Sequence, residues 1–269
     1  MDINGTPLGG RGGRGSRATV KETNVIGTMQ LLGACQKAPH VKRLVVKSSS
    51  SVYGSAPRDP AVFTETTPPK SLPSGASPRT PSRSRYVRGF ARRRPDVAVC
   101  VLRFANILGA CADSPLAEYF SLPVLPTVLG YDPRLQFVHE DDAIEALCMA
   151  SGKPRRGTIN SGTFNIAGDG ALLLSQCSRR LGRPTLPLFL PTVTWAGTVL
   201  RSLGITDFSP EQIRMLTHGR SSRRPRCARH WGFTRNTRRR RPSRNSPQSW
   251  TRAAAARGPR PYRRPARRR

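Results

Sequence analysis

The sequence predicts an α/β fold, a partial parallel sheet flanked by helices, with a disordered basic tail beyond it. Three observations carry this. Leu44, Val45 and Val46 form a short apolar run that stops in serines 48–51 and a Val-Tyr-Gly turn, as a buried strand does where it leaves a sheet. A second run, VAVCVLR at 97–103, is rich in β-branched residues and does not alternate, the pattern of a strand covered on both faces. Segments with helical apolar spacing precede and separate the two, so the strands are joined by a crossover and run parallel.

In chain order, residues 1–18 are rich in Gly and Arg and have no apolar periodicity. Gly10, Gly12 and Gly15 satisfy G-x-G-x-x-G, but no buried strand delivers them and no acidic residue follows at the ribose position. The segment reads as a flexible loop. From Thr19 to Lys37, Val25, Met29 and Leu32 recur at helical spacing, with Leu31 and Cys35 beside them, until Pro39 ends the pattern. A crossover helix is expected around Tyr86, Val87, Phe90 and Ala91, whereas residues 74–85, SGASPRTPSRSR, have no apolar face for one.

Past residue 103, FVHEDDAIEALCMAS predicts a helix capped by Asp141 or Asp142 and carrying Ile144 and Leu147, and TFNIAG predicts a short strand. SPEQIRMLTHG supplies its own punctuation: Ser209 as N-cap, Pro210 at the first position, Gln212 completing a capping box and Gly219 as a stop. The ordered body, residues 19–219, is expected to end there. Residues 220–269 contain 19 Arg and no Asp, Glu or Lys, so they supply 19 of the formal +31 and leave +12 for the rest. Such a segment has too little apolar surface to offset the entropy of ordering. Dense arginine also predicts nonspecific, salt-sensitive binding to nucleic acid.

The six cysteines show neither a C-x-x-C pair nor a zinc spacing, so no metal site is expected and they read as reduced thiols serving as small hydrophobes. No run approaches the roughly 18 apolar residues of a membrane span, and no secretory signal opens the chain. Together these predict a soluble, cytoplasmic protein.

Four segments in this order, NVIGTMQLL (24–32), VVKSSSSVYG (45–54), VLRFANILG (101–109) and FVHEDDAIEAL with TFNIAG (137–147, 163–168), resemble the NAD-dependent epimerase/dehydratase family of extended short-chain dehydrogenases/reductases. The resemblance implies a Rossmann-like sheet, NAD or NADP as cofactor and a nucleotide sugar as substrate. By position it implies that Ser49, four residues before the Tyr of Val-Tyr-Gly, is the catalytic serine. Asn24 matches a helix asparagine near the cofactor, Phe104 a residue whose backbone lies by the nicotinamide, and Asn106 an asparagine on the substrate diphosphate.

The same resemblance exposes what the sequence does not carry. The family's acid/base tyrosine, with a lysine four residues on to lower its pKa, is expected about two dozen residues after Ser49, and none of the five tyrosines has a lysine at that offset. The strand, glycine-rich turn and helix of the family's first half have no counterpart before residue 19, so the reading is of a partial, cofactor-half-less and inactive relative. Residues 76–85 and the tail share the composition of GC-rich DNA read out of frame. One codon choice for 76–85, regrouped by a base, reads Phe-Ala-Lys-Asp-Ala-Val-Glu-Val-Glu and restores helical character without restoring the tyrosine.

Overall fold

The computed structural model describes residues 16–70, 83–109, 112, 114–152, 161–189 and 210–223. The glycines at 10–15, most of the 74–85 segment and the tail from residue 224 onward lie outside the described residues.

The centre is a three-stranded parallel sheet in the order β1-β2-β7, made by β1 (Arg43–Ser49), β2 (Ala98–Phe104) and β7 (Gly162–Ile166). The two apolar runs that predicted parallel strands pair residue for residue, Leu44 with Val99 and Ser49 with Phe104. Because side chains alternate along a strand, β2 divides its residues between two cores. Val97 and Val99 pack with Val87, Phe90 and Leu32 under two helices, α1 (Ser16–Lys37) and α2 (Arg83–Arg93). Cys100, Leu102 and Phe104 face the opposite way, onto α4 (Glu140–Ala150).

The remaining elements form the second half of the body. These are β3 (Asn106–Leu108), α3 (Pro115–Ser121), β4 (Leu125–Val128), β5 (Arg134–Leu135), β6 (Phe137–His139), β8 (Leu172–Leu173), α5 (Leu174–Leu181), β9 (Thr185–Leu188) and α6 (Pro210–His218). They pair in short two-stranded sheets, β3 with β6, β4 with β9 and β5 with β8. A third core of Leu116, Phe120, Leu125, Leu135, Phe137 and Leu216 lies among them.

Arg94 ties α1 to α2. Its guanidinium donates to the carbonyls of Cys35, Gln36, Ala38 and Val41, along the stretch where α1 ends and β1 is about to begin. Asp96 holds it in place with two further bonds, and the hydrogen bond from Arg94 in turn keeps the Asp96 carboxyl below the usual carboxylate range.

Several expectations are corrected. The first helix begins at Ser16, three residues earlier than its apolar pattern, and α2 takes in residues 83–85 of the arginine-rich segment, whose long side chains are compatible with a helix. On α4 the cap is His139, whose Nδ1 accepts from the Asp141 amide, in place of Asp141 or Asp142. The face it buries is Ala143, Ala146 and Ala150, with Ile144 57% exposed. Small side chains let the helix backbone approach the sheet closely, which an isoleucine on that stripe would prevent.

The body also runs past Gly219. Gly219 has φ +60, and a Cβ there would strike the Arg134 backbone, so glycine is required to turn the chain back. Residues 220–223 then lie against the body, with Arg220 donating to Arg134, Ser221 accepting from Phe63 and Arg223 donating to Phe63. Ser221 and Ser222 are buried. Backbone pairing holds this strap where apolar side chains do not, which is why composition placed the boundary four residues early.

Among the described cysteines, burial pushes the Cys100 and Cys177 thiols up to about 12, whereas Cys148 is exposed. Since the thiolate is the reactive form, a disulfide reagent at pH 8 is expected to label Cys148 quickly and to reach Cys100 and Cys177 only on unfolding. Mass spectrometry of the labelled peptides checks this; rapid labelling of Cys100 in folded protein would contradict the sheet's two-sided cover.

Candidate functional site

The C-terminal ends of β1 and β2 lie side by side, with β3 starting two residues beyond β2, and the resemblance places three of its four residues there. Ser49 ends β1 and caps the 3-10 turn Ser50–Tyr53, its Oγ accepting from the Ser51 amide at 3.2 Å. That bond uses a lone pair and leaves the hydroxyl proton to donate. Phe104 sits opposite Ser49 in the parallel register, its ring buried in the core on the α4 side. Two residues on, Asn106 is half-buried and its Nδ2 donates to the Gln136 carbonyl at 2.9 Å. Asn24 falls in α1, and its side chain lies outside what the structure describes.

Residues that the sequence reading passed over hold this end together. Tyr53 is fully buried, stacked on Phe63 at 4.8 Å with the rings within 4° of parallel. Its hydroxyl accepts from Arg103 Nη1 at 2.8 Å and lies 2.7 Å from Asn165 Oδ1 and 3.0 Å from the Thr64 carbonyl, to which its single proton is offered. Arg103 also donates to the Thr67 carbonyl, and its guanidinium carbon stands 4.8 Å from the Tyr53 ring centroid. Glu65, itself buried, accepts from the Asn165 amide on the outer edge of β7. Gly54, at φ +87, makes the turn that leads from Tyr53 into this loop.

A second hub faces it across Asn106. Gln136 Oε1 accepts from the amide and hydroxyl of Ser222, and its Nε2 donates to the carbonyls of Ser222 and Gly168. The strap also donates from Ser221 Oγ to the Ala61 carbonyl, and Ser55 Oγ donates to the Gly219 carbonyl. The loop after the serines is thereby held from both sides. A signal for the first hub was present in the sequence: Arg103 is a lone charge in an otherwise apolar strand, and a buried charge demands partners. Gln136 and Ser222 carry no comparable signal.

Chemically, Ser49 can hydrogen-bond a ligand oxygen. Among the described residues no histidine, lysine or carboxylate is bonded to it, so none of these activates it as a nucleophile. Tyr53 is committed to its network, and Tyr119 donates to the Pro126 carbonyl with its hydroxyl pushed well up by burial. The position expected for the acid/base tyrosine lies outside the described residues. Among the described residues no cluster of His, Cys, Asp and Glu could hold a metal ion, and no helix is long and apolar enough to cross a membrane.

Comparison with known proteins adds the family. Residues 12–167 match the model of the NAD dependent epimerase/dehydratase family. An uncharacterized protein of Mycobacterium tuberculosis is 45% identical over 209 residues, 77% of this chain and 54% of the relative, so the chain spans about half that protein's length. A second uncharacterized protein of that organism is 38% identical over 93 residues, 34% of this chain and 10% of its own.

Among solved structures, UDP-glucuronic acid 4-epimerase from Bacillus cereus, in complex with UDP-glucuronic acid and NAD, superposes with a TM-score of 0.63 at 16% identity. The match covers 95% of this chain and 79% of that one. dTDP-glucose 4,6-dehydratase from Bacillus anthracis, in complex with NAD, gives 0.59 at 19% identity over 89% and 70%. These likenesses show the fold, an α/β structure with a Rossmann-like parallel sheet.

The network around Tyr53 predicts a measurable cost. Tyr53→Phe leaves Arg103 and Asn165 short of a buried partner and is expected to lower stability by about 2 kcal/mol, the penalty for stranding a buried polar group. Arg103→Met in the same background is expected to cost much less than it does alone, because the two side chains share one interaction. Urea denaturation of the four proteins in this cycle measures both; additive losses would mean the pair is uncoupled.

Proposed function

The chain belongs to the NAD-dependent epimerase/dehydratase family, and from that premise we propose that it carries the serine-bearing, substrate-side part of a protein related to nucleotide-sugar epimerases and dehydratases. On this reading Ser49 orients a sugar oxygen and Asn106 lies toward the substrate diphosphate. Asn24 falls near the cofactor, NAD or NADP, and the Phe104 backbone beside its nicotinamide. The observation that carries it is the parallel register itself: Ser49 opposite Phe104, with Asn106 two residues on, at the carboxyl ends of adjacent strands where open α/β sheets bind ligands.

The groups present do not make a cofactor cradle. No G-x-G-x-x-G run occurs between residues 16 and 223. The backbone beside Phe104 is already used, the Ala105 amide donating to the Ile166 carbonyl at 2.8 Å. The Asn106 amide group is held by Gln136. A dinucleotide's pyrophosphate is held by backbone amides at a glycine-rich helix start, which neither of these groups is. Nor does the sequence supply Tyr-x-x-x-Lys, so no proton-transfer group of that type meets Ser49. The state proposed for this chain is therefore that of a family member without turnover.

The test is calorimetric titration with NAD and NADP, followed by epimerisation and dehydration assays on UDP- and dTDP-sugars, with Ser49→Ala beside the unaltered chain. The expected result is no saturable cofactor binding, no turnover and no difference on substitution. General acid/base catalysis is worth roughly a hundred- to ten-thousand-fold, so an intact site would stand out. Turnover that Ser49→Ala abolishes would refute the inactive reading while upholding the role of the serine.

A further inference from the structure

The two faces of the central sheet carry opposite charge. Between Glu22 and Asp59, and again between Glu65 and Asp96, the sequence has no Asp or Glu, and these stretches hold α1 from residue 23, all of β1 and all of α2. On the other face, α4 has Glu140, Asp141, Asp142 and Glu145 and neither Lys nor Arg. The alternation along β2 fixes which side is which: Val97 and Val99 pack under α1 and α2, Cys100, Leu102 and Phe104 under α4.

On α2 the apolar and basic residues separate cleanly. Tyr86, Val87, Phe90 and Ala91 turn to the core, while Arg85, Arg88 and Arg92 are exposed. Positions 85, 88 and 92 are three and four residues apart, so they form one stripe along the helix, with neighbouring side chains a few ångströms apart. Arg88 Nε donates to the Ser84 carbonyl of its own helix. Arg93, at the stripe's edge, donates to the Gln36 amide oxygen. Neither bond neutralises a charge. Asp96, the nearest carboxylate in sequence, is bonded to Arg94.

We propose that the outer face of α2 is a binding surface for the phosphate backbone of nucleic acid, with Arg85, Arg88 and Arg92 each neutralising a phosphate. Guanidinium groups suit phosphate because their forked donors match its oxygens. The acidic α4 face turns away from the polyanion, so the polarity of the body orients it as well as attracting it. An anionic membrane is disfavoured by the apolar residues: α2 spends its own on the core, and the half-exposed Ile26, Met29 and Leu31 of α1 are spread over two sides of that helix. The proposal concerns the folded body. It is separate from the arginine-rich tail and from the reading of the serine strand end.

The experiment uses the full chain and a fluorescent oligo-dT, with anisotropy titrations across a range of salt. The comparison is with Arg85→Gln/Arg88→Gln/Arg92→Gln, which keeps good helix formers at exposed positions. Each phosphate neutralised on a single strand contributes about 0.7 to the slope of log affinity against log salt, so the triple variant is expected to flatten that slope by about 2, leaving the tail's share. In parallel, an arginine-specific dicarbonyl reagent with peptide mass spectrometry is expected to show Arg85, Arg88 and Arg92 protected by the oligonucleotide, and exposed Arg180 on α5 not protected. An unchanged slope, or protection no greater than at Arg180, would overturn the proposal. So would protection that grows with protein concentration alone, which would mark a contact between copies of this chain. Protection by phosphatidylserine vesicles but not by oligo-dT would overturn it in favour of a membrane.

Discussion

One buried charge organises the end of the sheet where the candidate site lies. Arg103 stands in the central strand with both neighbouring strands paired to it, and its side chain is almost wholly withdrawn from water. Removing a guanidinium from water costs several kcal/mol, and arginine cannot escape by losing its proton. Partners must therefore be brought to it. Tyr53 comes from the turn after β1, the Thr67 carbonyl from the loop beyond, and Asn165 joins through Tyr53 from β7. The serines are held at the strand end because the residue that closes their turn is fastened to this charge.

The strap extends the same logic to the second half of the body. Gln136 offers both ends of its amide, and Ser222 and Gly168 take them up, while the carbonyl of the same residue accepts from Asn106. Residues 219–223 reach across to the loop at Ser55, Ala61 and Phe63. Ser49 and Asn106 are thus positioned by two polar networks that share the strap as a common wall. A buried network of this kind specifies one arrangement because leaving any member unpaired is expensive. Nothing apolar in residues 220–223 would have achieved it.

What was legible in the sequence follows from this division. The two parallel strands, the helix between them and the stop at Gly219 were readable because apolar runs, helical spacing and turn chemistry are local signals. The strand end carrying Ser49, and its neighbours Phe104 and Asn106, were readable through the resemblance. Tyr53 marks the serine four residues before it, but its burial has no sequence signal, since a tyrosine followed by glycine looks like any turn. On α4, Leu147 packs against the core as its apolar character predicts, whereas Ile144 faces water and the stripe nearest the sheet is made of alanines, where size decides over hydrophobicity. The strap was illegible for a different reason. Its order comes from backbone groups pairing with residues some 80 to 160 positions away, and composition says nothing about that.

These constraints bear on what the serine can do. A hydroxyl that caps a turn through its lone pair, with no base bonded to it among the described residues, is a hydrogen-bond donor of fixed position, suited to holding a ligand oxygen. Converting such a group into part of a catalytic set requires a proton acceptor whose pKa has been brought toward neutrality, and that requires a positive charge near it. The chain has positive charge in abundance, yet at this end of the sheet the described guanidinium is buried under Tyr53 and spent on structure. A stripe of exposed arginines, Arg85, Arg88 and Arg92, lies on α2, packed on the sheet face away from α4. Among the described residues, then, the guanidinium at the serine end is committed to structure, while those on α2 remain at the surface.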